Sequence, residues 1–206
     1  MVTTYPAYAA VVQTASVGVF GTADATAPRL MTSSKFDENG APQTFLIQSQ
    51  QTVGVPAATW YDVLLPVRPN GTTGWILASQ VHVVGLPYRL VVHLGTFRLD
   101  VFDRNQLVRS ITIGEGTDQT PTPGGLYYIK ELLRPPDQNT IYGHYVFGLS
   151  GFSNVLLNWP DGGVLGIHGN QRSGHVARCE GQSRLRPDGQ PEHRVSGRHP
   201  APSGRQ

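Results

Sequence analysis

The sequence has little cysteine, little charge and no long apolar run, and each shortage excludes a class of protein. A single cysteine in 206 residues cannot form a disulfide within the chain, so its thiol is buried, spare or a nucleophile. No apolar stretch approaches the roughly 20 residues of a membrane-spanning helix. A formal net charge of +2 is too small to indicate a nucleic-acid partner.

The sequence also lacks signals for targeting and for metal binding. Residues 1–18 have neither the basic nor the apolar stretch of a signal peptide. If the protein is exported, we expect this sequence to begin downstream of the true start. The histidines are scattered, without the spacing of metal ligands. We therefore expect no metal, no cofactor, no stable membrane span and no obligate protein partner.

The residues that are abundant favour an all-β fold. The chain has 24 glycines and 16 prolines, which favour turns over long helices, and 39% hydrophobic residues, which are enough for a core. Its 15% of charged residues is low for a cytosolic protein and usual for a secreted β protein. The pattern shows no long amphipathic helix and no internal repeat, and the length fits one large or two small domains.

Residues 1–86 contain short β-type runs at 8–13, 16–20, 44–48, 60–67 and 74–77. Turn signals such as Asn39-Gly40 and Pro69-Asn70-Gly71 lie between them. Residues 60–68 and 70–76 are predicted to pair as a hairpin with aromatic residues at both ends. This pattern resembles the bacterial SH3-like barrel, a module often found beside cell-wall enzymes. Any other small antiparallel barrel explains it equally well. A Gly-Leu-Pro linker ends this predicted first domain.

Residues 88–170 are predicted to form a second domain, in which strands rich in β-branched and aromatic residues follow one another. Its motifs are weak singly and specific as an ordered series. In chain order they are a hairpin at 91–103, Ile113-Gly114, Thr120-Pro121-Thr122-Pro123-Gly124, Tyr127 and Ile129, Tyr142-Gly143, and Gly166-Ile167-His168-Gly169. The series resembles the L,D-transpeptidase catalytic domain of bacterial cell-wall enzymes.

The resemblance implies a β-sandwich whose sheets enclose a groove, and it implies a reaction. A cysteine thiolate attacks the carbonyl between the diamino acid and the terminal D-Ala of a peptidoglycan stem tetrapeptide. D-Ala leaves, and an amine of a neighbouring stem converts the thioester into a cross-link. Because a thiol is a poor nucleophile near neutral pH, an imidazole must take its proton. The partners would be peptidoglycan stem peptides, at an extracytoplasmic location in the cell wall or periplasm.

The resemblance also implies roles for single residues. His168 stands in the Ile-His-Gly context of the first signature histidine and would be the proton donor and acceptor. A turn histidine after a strand is the structural alternative. Tyr142, Gly143 and Gly169 would bind substrate, the last as part of a loop that can present N–H groups to an oxyanion. His144 is better explained as a groove or surface residue than as a catalytic one.

Residues 171–206 have a composition that argues against a packed structure. They hold seven of the fourteen arginines and no Phe, Trp or Tyr. Such a segment buries too little apolar surface to offset its ordering entropy, so an irregular or disordered tail is predicted. Binding of nucleic acid or another anionic polymer by this basic tail is the alternative.

The second half of the family signature, Ser-His-Gly-Cys, is absent. Cys179 has no Ser-His-Gly before it and comes too early, so a chance cysteine explains it better than a displaced nucleophile. Residues 182–188 can be encoded so that reading one nucleotide later gives Ser-His-Gly-Cys-Val-Arg, with the cysteine at the position of Arg186. The same frame permits an apolar continuation over residues 196–202. We therefore predict that the tail is a frameshifted reading, by mutation or sequencing error, and that this chain lacks its nucleophile.

Three functions follow from these observations. In the first, the chain is an L,D-transpeptidase that is active only when its reading frame is restored. In the second, it is a non-catalytic module that binds the cell wall. In the third, it is an active variant that uses Cys179 with His168 or His175.

Overall fold

The computed structural model describes residues 5–137, 139, 142–158, 160–169 and 177–181. Within these ranges the chain is almost entirely β, which confirms the all-β class. The strands form two seven-stranded sheets, and the chain passes from the first to the second between Leu86 and Tyr88. No helix in the described ranges has the length and apolar character needed to cross a membrane.

The first sheet has the strand order β3-β2-β6-β5-β4-β1-β7, and every neighbouring pair is antiparallel. A short 3-10 turn at Ala78–Gln80 precedes its last strand. The strands are β1 (Ala7–Val12), β2 (Ser16–Phe20), β3 (Arg29–Ser34), β4 (Thr44–Val53), β5 (Ala58–Leu64), β6 (Thr73–Leu77) and β7 (Val81–Leu86).

Alternate residues of these strands bury one face of the first sheet. Because side chains along a strand point to opposite faces in turn, one face collects the apolar residues. Its fully buried members are Ala10, Val12, Val17, Val19, Phe45, Val63, Leu65 and Ile76. Gly40 and Gly71, in the predicted turns, have φ of 81° and 87°, the left-handed region that favours glycine. The resemblance of this sheet to an SH3-like barrel stays a prediction.

The second sheet has the order β11-β12-β13-β14-β10-β9-β8, and only its β10–β14 pair is parallel among the described strands. Leu90 and Val92 of β8 pack against Leu149, Leu165 and Ile167 of β12 and β13, so the sheet curls over to enclose its own core. The strands are β8 (Tyr88–His93), β9 (Arg98–Asp103), β10 (Gln106–Gly114), β11 (Ile129–Leu133), β12 (Val146–Phe152), β13 (Val164–His168) and β14 (Ala177–Gly181).

Part of the tail that the composition predicts to be irregular is a strand. β14 pairs antiparallel with β13 and parallel with β10, and so fills a gap in the middle of the sheet. The bonds of a β-ladder join backbone groups, so a segment without β-type side chains can still form one. The other residues of 171–206 lie outside the described residues.

The two sheets share an apolar contact. Tyr128, just before β11, packs against Leu46 and Leu64 of the first sheet, and all three are buried. The hydroxyl oxygen of Tyr128 is also buried and has no hydrogen-bond partner. Burial raises the pKa of this phenol. The two predicted domains therefore pack against each other, and their boundaries at 1–86 and 88–170 stay a prediction.

Polar contacts add to this interface at the turn between β5 and β6. Asn70 pairs with the backbone of Phe152 in both directions, since its Nδ2 donates to the carbonyl oxygen at 2.8 Å and its Oδ1 accepts from the N–H at 2.9 Å. Arg68 donates to the carbonyl oxygens of Ser153 at 2.7 Å and Gly162 at 2.6 Å. Its guanidinium lies 5.0 Å from the centre of the Phe152 ring. The first sheet thus holds both ends of the connection between β12 and β13.

Candidate active site

His168 is the last residue of β13, a strand whose five residues are all buried. Leu165 and Ile167 face the core of the second sheet, so Gly166 and His168 lie on the opposite face. His168 exposes only 3% of its surface. The histidine is therefore part of a packed strand end and not an exposed turn residue.

Two contacts orient the imidazole of His168. Its Nδ1 lies 2.7 Å from the carbonyl oxygen of Gly169. Because that oxygen can only accept, Nδ1 carries the proton in the neutral ring and Nε2 is the basic nitrogen. The ring of Tyr142 packs edge-on, with centroids 5.0 Å apart and an interplanar angle of 71°. These contacts select one tautomer, in which Nε2 is the atom that can take up a proton.

The structure brings together the four residues that the sequence analysis assigned to one site. Tyr142 and Gly143 are buried in the turn before β12, and Tyr142 contacts His168. Gly143 has φ of 67°, which explains the glycine at this point of the turn. Gly169 is exposed beside the imidazole, and His144 is exposed as expected. Substrate binding by Tyr142, Gly143 and Gly169 stays a prediction.

The sequence did not predict a buried carboxylate, that of Glu131, on the same sheet face as His168. Glu131 of β11 pairs with Gly148 of β12, which pairs with Gly166, two residues before His168. A Cβ on Gly148 would lie 2.7 Å from Oε1 of Glu131, so the carboxyl group extends across this glycine. Glu131 exposes 6% of its surface. The two glycines, in neighbouring strands, were the only signal in the sequence that a side chain crosses the sheet here.

This carboxylate has one partner from the first sheet, Asn39, and one from its own strand, Lys130. Nδ2 of Asn39 donates to Oε2 of Glu131 at 2.7 Å, and Nζ of Lys130 lies 3.3 Å from Oε1. Lys130 also binds Oε1 of Glu38 at 2.6 Å. Burial lowers the pKa of Lys130, but the hydrogen bond to Glu38 and the charges of both glutamates outweigh it, so the pKa is raised. The ammonium group is therefore held in its charged form, which keeps the buried carboxylate paired.

Cys179 does not occupy the register position opposite His168. In the β13–β14 pair, Cys179 lies opposite Ile167, and Arg178 lies opposite His168. The other two positions considered for catalysis, Arg186 and His175, lie outside the described residues. In the described part of the chain, no group of three or more His, Cys, Asp or Glu is placed to hold a metal ion.

Comparison with known proteins is consistent with this geometry. The family model of the L,D-transpeptidase catalytic domain named YkuD matches residues 87–186. A protein named putative L,D-transpeptidase YkuD, from Bacillus licheniformis, is 26% identical over 110 residues. The match covers 50% of this chain and 66% of that protein, just under two thirds of its length. No solved structure matches the chain.

Fold and site together define an all-β domain with one buried, oriented histidine at the end of a strand. The family match says which kind of domain this is. Residues 87–186 match the model of the L,D-transpeptidase catalytic domain family, which confirms the resemblance seen in the motif order. The match to this family supports a role in peptidoglycan cross-linking.

Proposed function

We propose that this chain is an L,D-transpeptidase of peptidoglycan whose nucleophile is missing. The observation that carries the proposal is the orientation of His168, inside the segment that the family model matches. With Nδ1–H held by the carbonyl of Gly169, Nε2 is the base. A cysteine thiol near Nε2 would lose its proton to the ring and become a nucleophilic thiolate.

The reaction would proceed in two balanced steps. In the first, the thiolate attacks the carbonyl carbon next to the terminal D-Ala, the C–N bond breaks, and the imidazolium of His168 returns its proton to the departing amine. In the second, His168 takes a proton from an amine of a neighbouring stem as that amine attacks the thioester. The C–S bond breaks, a new peptide bond forms, and the thiolate regains a proton.

In this chain we expect the reaction to fail because no cysteine stands at the required place. Cys179 is one residue out of register with His168. The shifted reading frame instead provides Ser-His-Gly-Cys, with its cysteine at the position of Arg186. Loss of the residues that this frame encodes would also leave the domain without its proper closing segment, which lowers stability.

The first test is the DNA sequence from codon 165 to beyond codon 206. A one-nucleotide slip within a stretch that otherwise encodes Ser-His-Gly-Cys supports the proposal. Its absence from the genome would identify a sequencing error, and its presence would identify an inactive product. Codons that do not permit the signature would refute the frameshift. The protein with the frame restored should release D-Ala from a stem tetrapeptide, and its His168→Gln variant should not.

A non-catalytic wall-binding protein is the second candidate, because the first sheet packs firmly against the domain that matches a cell-wall family. Sedimentation of this chain with purified cell wall tests it, and a chain that stays in the supernatant refutes it. The third candidate is catalysis by Cys179. Labelling of this chain by a thiol-reactive β-lactam, lost in Cys179→Ala, would support it, whereas no labelling would refute it.

A further inference from the structure

The outer face of the first sheet carries a row of polar and aromatic residues that the site around His168 does not use. The register places Asp62 opposite Ser49 on one side and opposite Trp75 on the other. Trp75 lies opposite Phe20, and Phe20 opposite Arg29. Residues directly opposite each other on antiparallel strands share a face and lie about 5 Å apart. The row therefore crosses five strands, from Ser49 to Arg29.

This row faces outward from the core. Val63 and Ile76, which follow Asp62 and Trp75 directly, are fully buried in the core of the first sheet. Because successive side chains alternate between faces, Asp62 and Trp75 point the other way. Both are half-buried. Ser49 and Arg29, at the two ends of the row, are exposed.

Packing explains the aromatic end of the row. The rings of Phe20 and Trp60 meet edge-on, 5.6 Å apart, and both are buried. The guanidinium of Arg29 lies 5.5 Å from the centre of the Phe20 ring. A Cβ on Gly18 would lie 3.0 Å from Nε of Arg29, so this glycine leaves room for the arginine side chain. Phe20 and Trp60 therefore form a packed aromatic surface, and the guanidinium of Arg29 lies against it.

Packing does not explain Asp62. Its Oδ1 is buried and has no hydrogen-bond partner, although buried polar atoms are nearly always paired. The neighbour on the same face is the indole of Trp75. A carboxylate beside an indole attracts an ammonium group twice, by charge and by interaction with the ring. An ammonium ligand would therefore supply the partner that the protein does not.

We propose that this row binds a short peptide with a free ammonium group and a free carboxylate, the ammonium at Asp62 and Trp75 and the carboxylate at Arg29. Because the guanidinium lies over Phe20, the two charges are about two strand spacings, roughly 10 Å, apart. An extended peptide advances about 3.3 Å per residue, so a lysine-type side chain and the next carboxyl group can span this distance. The inference rests on the proposed function, since a stem tetrapeptide carries both groups.

The test uses the full chain and the synthetic tetrapeptide N-acetyl-L-Ala-γ-D-Glu-L-Lys-D-Ala, whose blocked N-terminus leaves the lysine amine as its single ammonium group. Its binding is followed by the NMR signal of the Trp75 indole N–H, assigned with Trp75→Leu. The signal should shift and saturate. Acetylation of the lysine amine, or the substitution Asp62→Asn, should weaken binding about fivefold or more. Asp103→Asn, an equal change of charge on a half-buried residue of the second sheet, should leave the affinity unchanged.

Several outcomes would overturn the proposal. One is a Trp75 signal that does not move at millimolar peptide. Another is a lysine-acetylated peptide that binds as tightly as the peptide with the free lysine amine. The lysine-acetylated peptide also keeps the test valid if Asp62→Asn fails to fold, because it needs no variant. The proposed function is judged separately, by D-Ala release from the protein with the frame restored. If D-Ala is released but Asp62→Asn has no effect on peptide binding, the proposed binding row is refuted and the proposed function stands.

Discussion

Replacement of Asn70 by alanine measures how strongly the two sheets are joined. The substitution removes both hydrogen bonds to the backbone of Phe152, at 2.8 and 2.9 Å. Each such bond contributes about 0.5–1.5 kcal/mol net, and a buried N–H left without a partner costs more. We therefore expect the free energy of unfolding to fall by about 2–3 kcal/mol.

The assays are urea unfolding, which gives the free energy, and thermal unfolding, which gives Tm, each followed by tryptophan fluorescence and far-UV circular dichroism. For a chain of about 200 residues, each kcal/mol shifts Tm by roughly 2–4 °C, so Asn70→Ala should lower Tm by about 5–10 °C. Asn105→Ala, in an exposed turn of the second sheet, is the matched control and should stay within about 0.5 kcal/mol.

Coupling between neighbours gives this experiment a second readout. Arg68 binds the residue after Phe152, so the losses in Asn70→Ala and Arg68→Ala should not add in the double variant. A loss below about 0.5 kcal/mol in Asn70→Ala would show that these bonds do not hold the two sheets together. Strict additivity would refute the coupling between Asn70 and Arg68.

Three further substitutions test other contacts. Tyr128→Phe removes a buried hydroxyl without a partner, so stability at pH 7 should hold or rise. Because burial raises the pKa of Tyr128, the stability that its protonated form contributes is complete below the unfolded pKa of about 10 and is lost as the pH rises beyond it. Urea unfolding above pH 10 should therefore show a smaller loss of stability in the variant than in the parent protein. Gly148→Ala places a Cβ 2.7 Å from Glu131 and should cost about 1–3 kcal/mol in thermal unfolding; an unchanged Tm would contradict it. The hydrogen bond from Ser110 lowers the pKa of Asp100, a contribution present above the unfolded pKa and lost as pH falls through the folded pKa, so Ser110→Ala should raise that pKa in a carboxyl NMR titration, and no change would refute the assignment.

Local patterns in the sequence identified much of the fold. β2, Ser16–Phe20, has the predicted bounds because a run of alternating apolar residues defines it completely. β3, Arg29–Ser34, was missed because it lies at the edge of its sheet, where most of its residues are exposed and polar. β14 was missed for a related reason, since its place depends on a gap between β10 and β13 and not on its own side chains.

The residues of the candidate site were likewise predictable only where a local motif in the sequence carries them. His168 and its neighbours were found because a short motif carries them, and the chain folds that motif into one strand end and one turn. Glu131 was not found because its partner Asn39 is 92 residues away and belongs to the first sheet. No periodicity within either segment reports a contact between segments.

The contacts between the two sheets change how the first sheet should be understood. A tethered binding module would leave β11 and β12 accessible, whereas here Leu46, Asn39 and Asn70 contact the second sheet at an apolar cluster, at a buried carboxylate and at a backbone edge. The contact of Asn39 reaches β11, which pairs with Gly148, and the contact of Asn70 reaches β12, the strand that contains Gly148. The row through Gly148 leads to His168. A loss of the first sheet would therefore leave Glu131 without Asn39 and the end of β12 without Asn70. We conclude that the first sheet is a structural component of the site's scaffold, in addition to any ligand that its outer face binds.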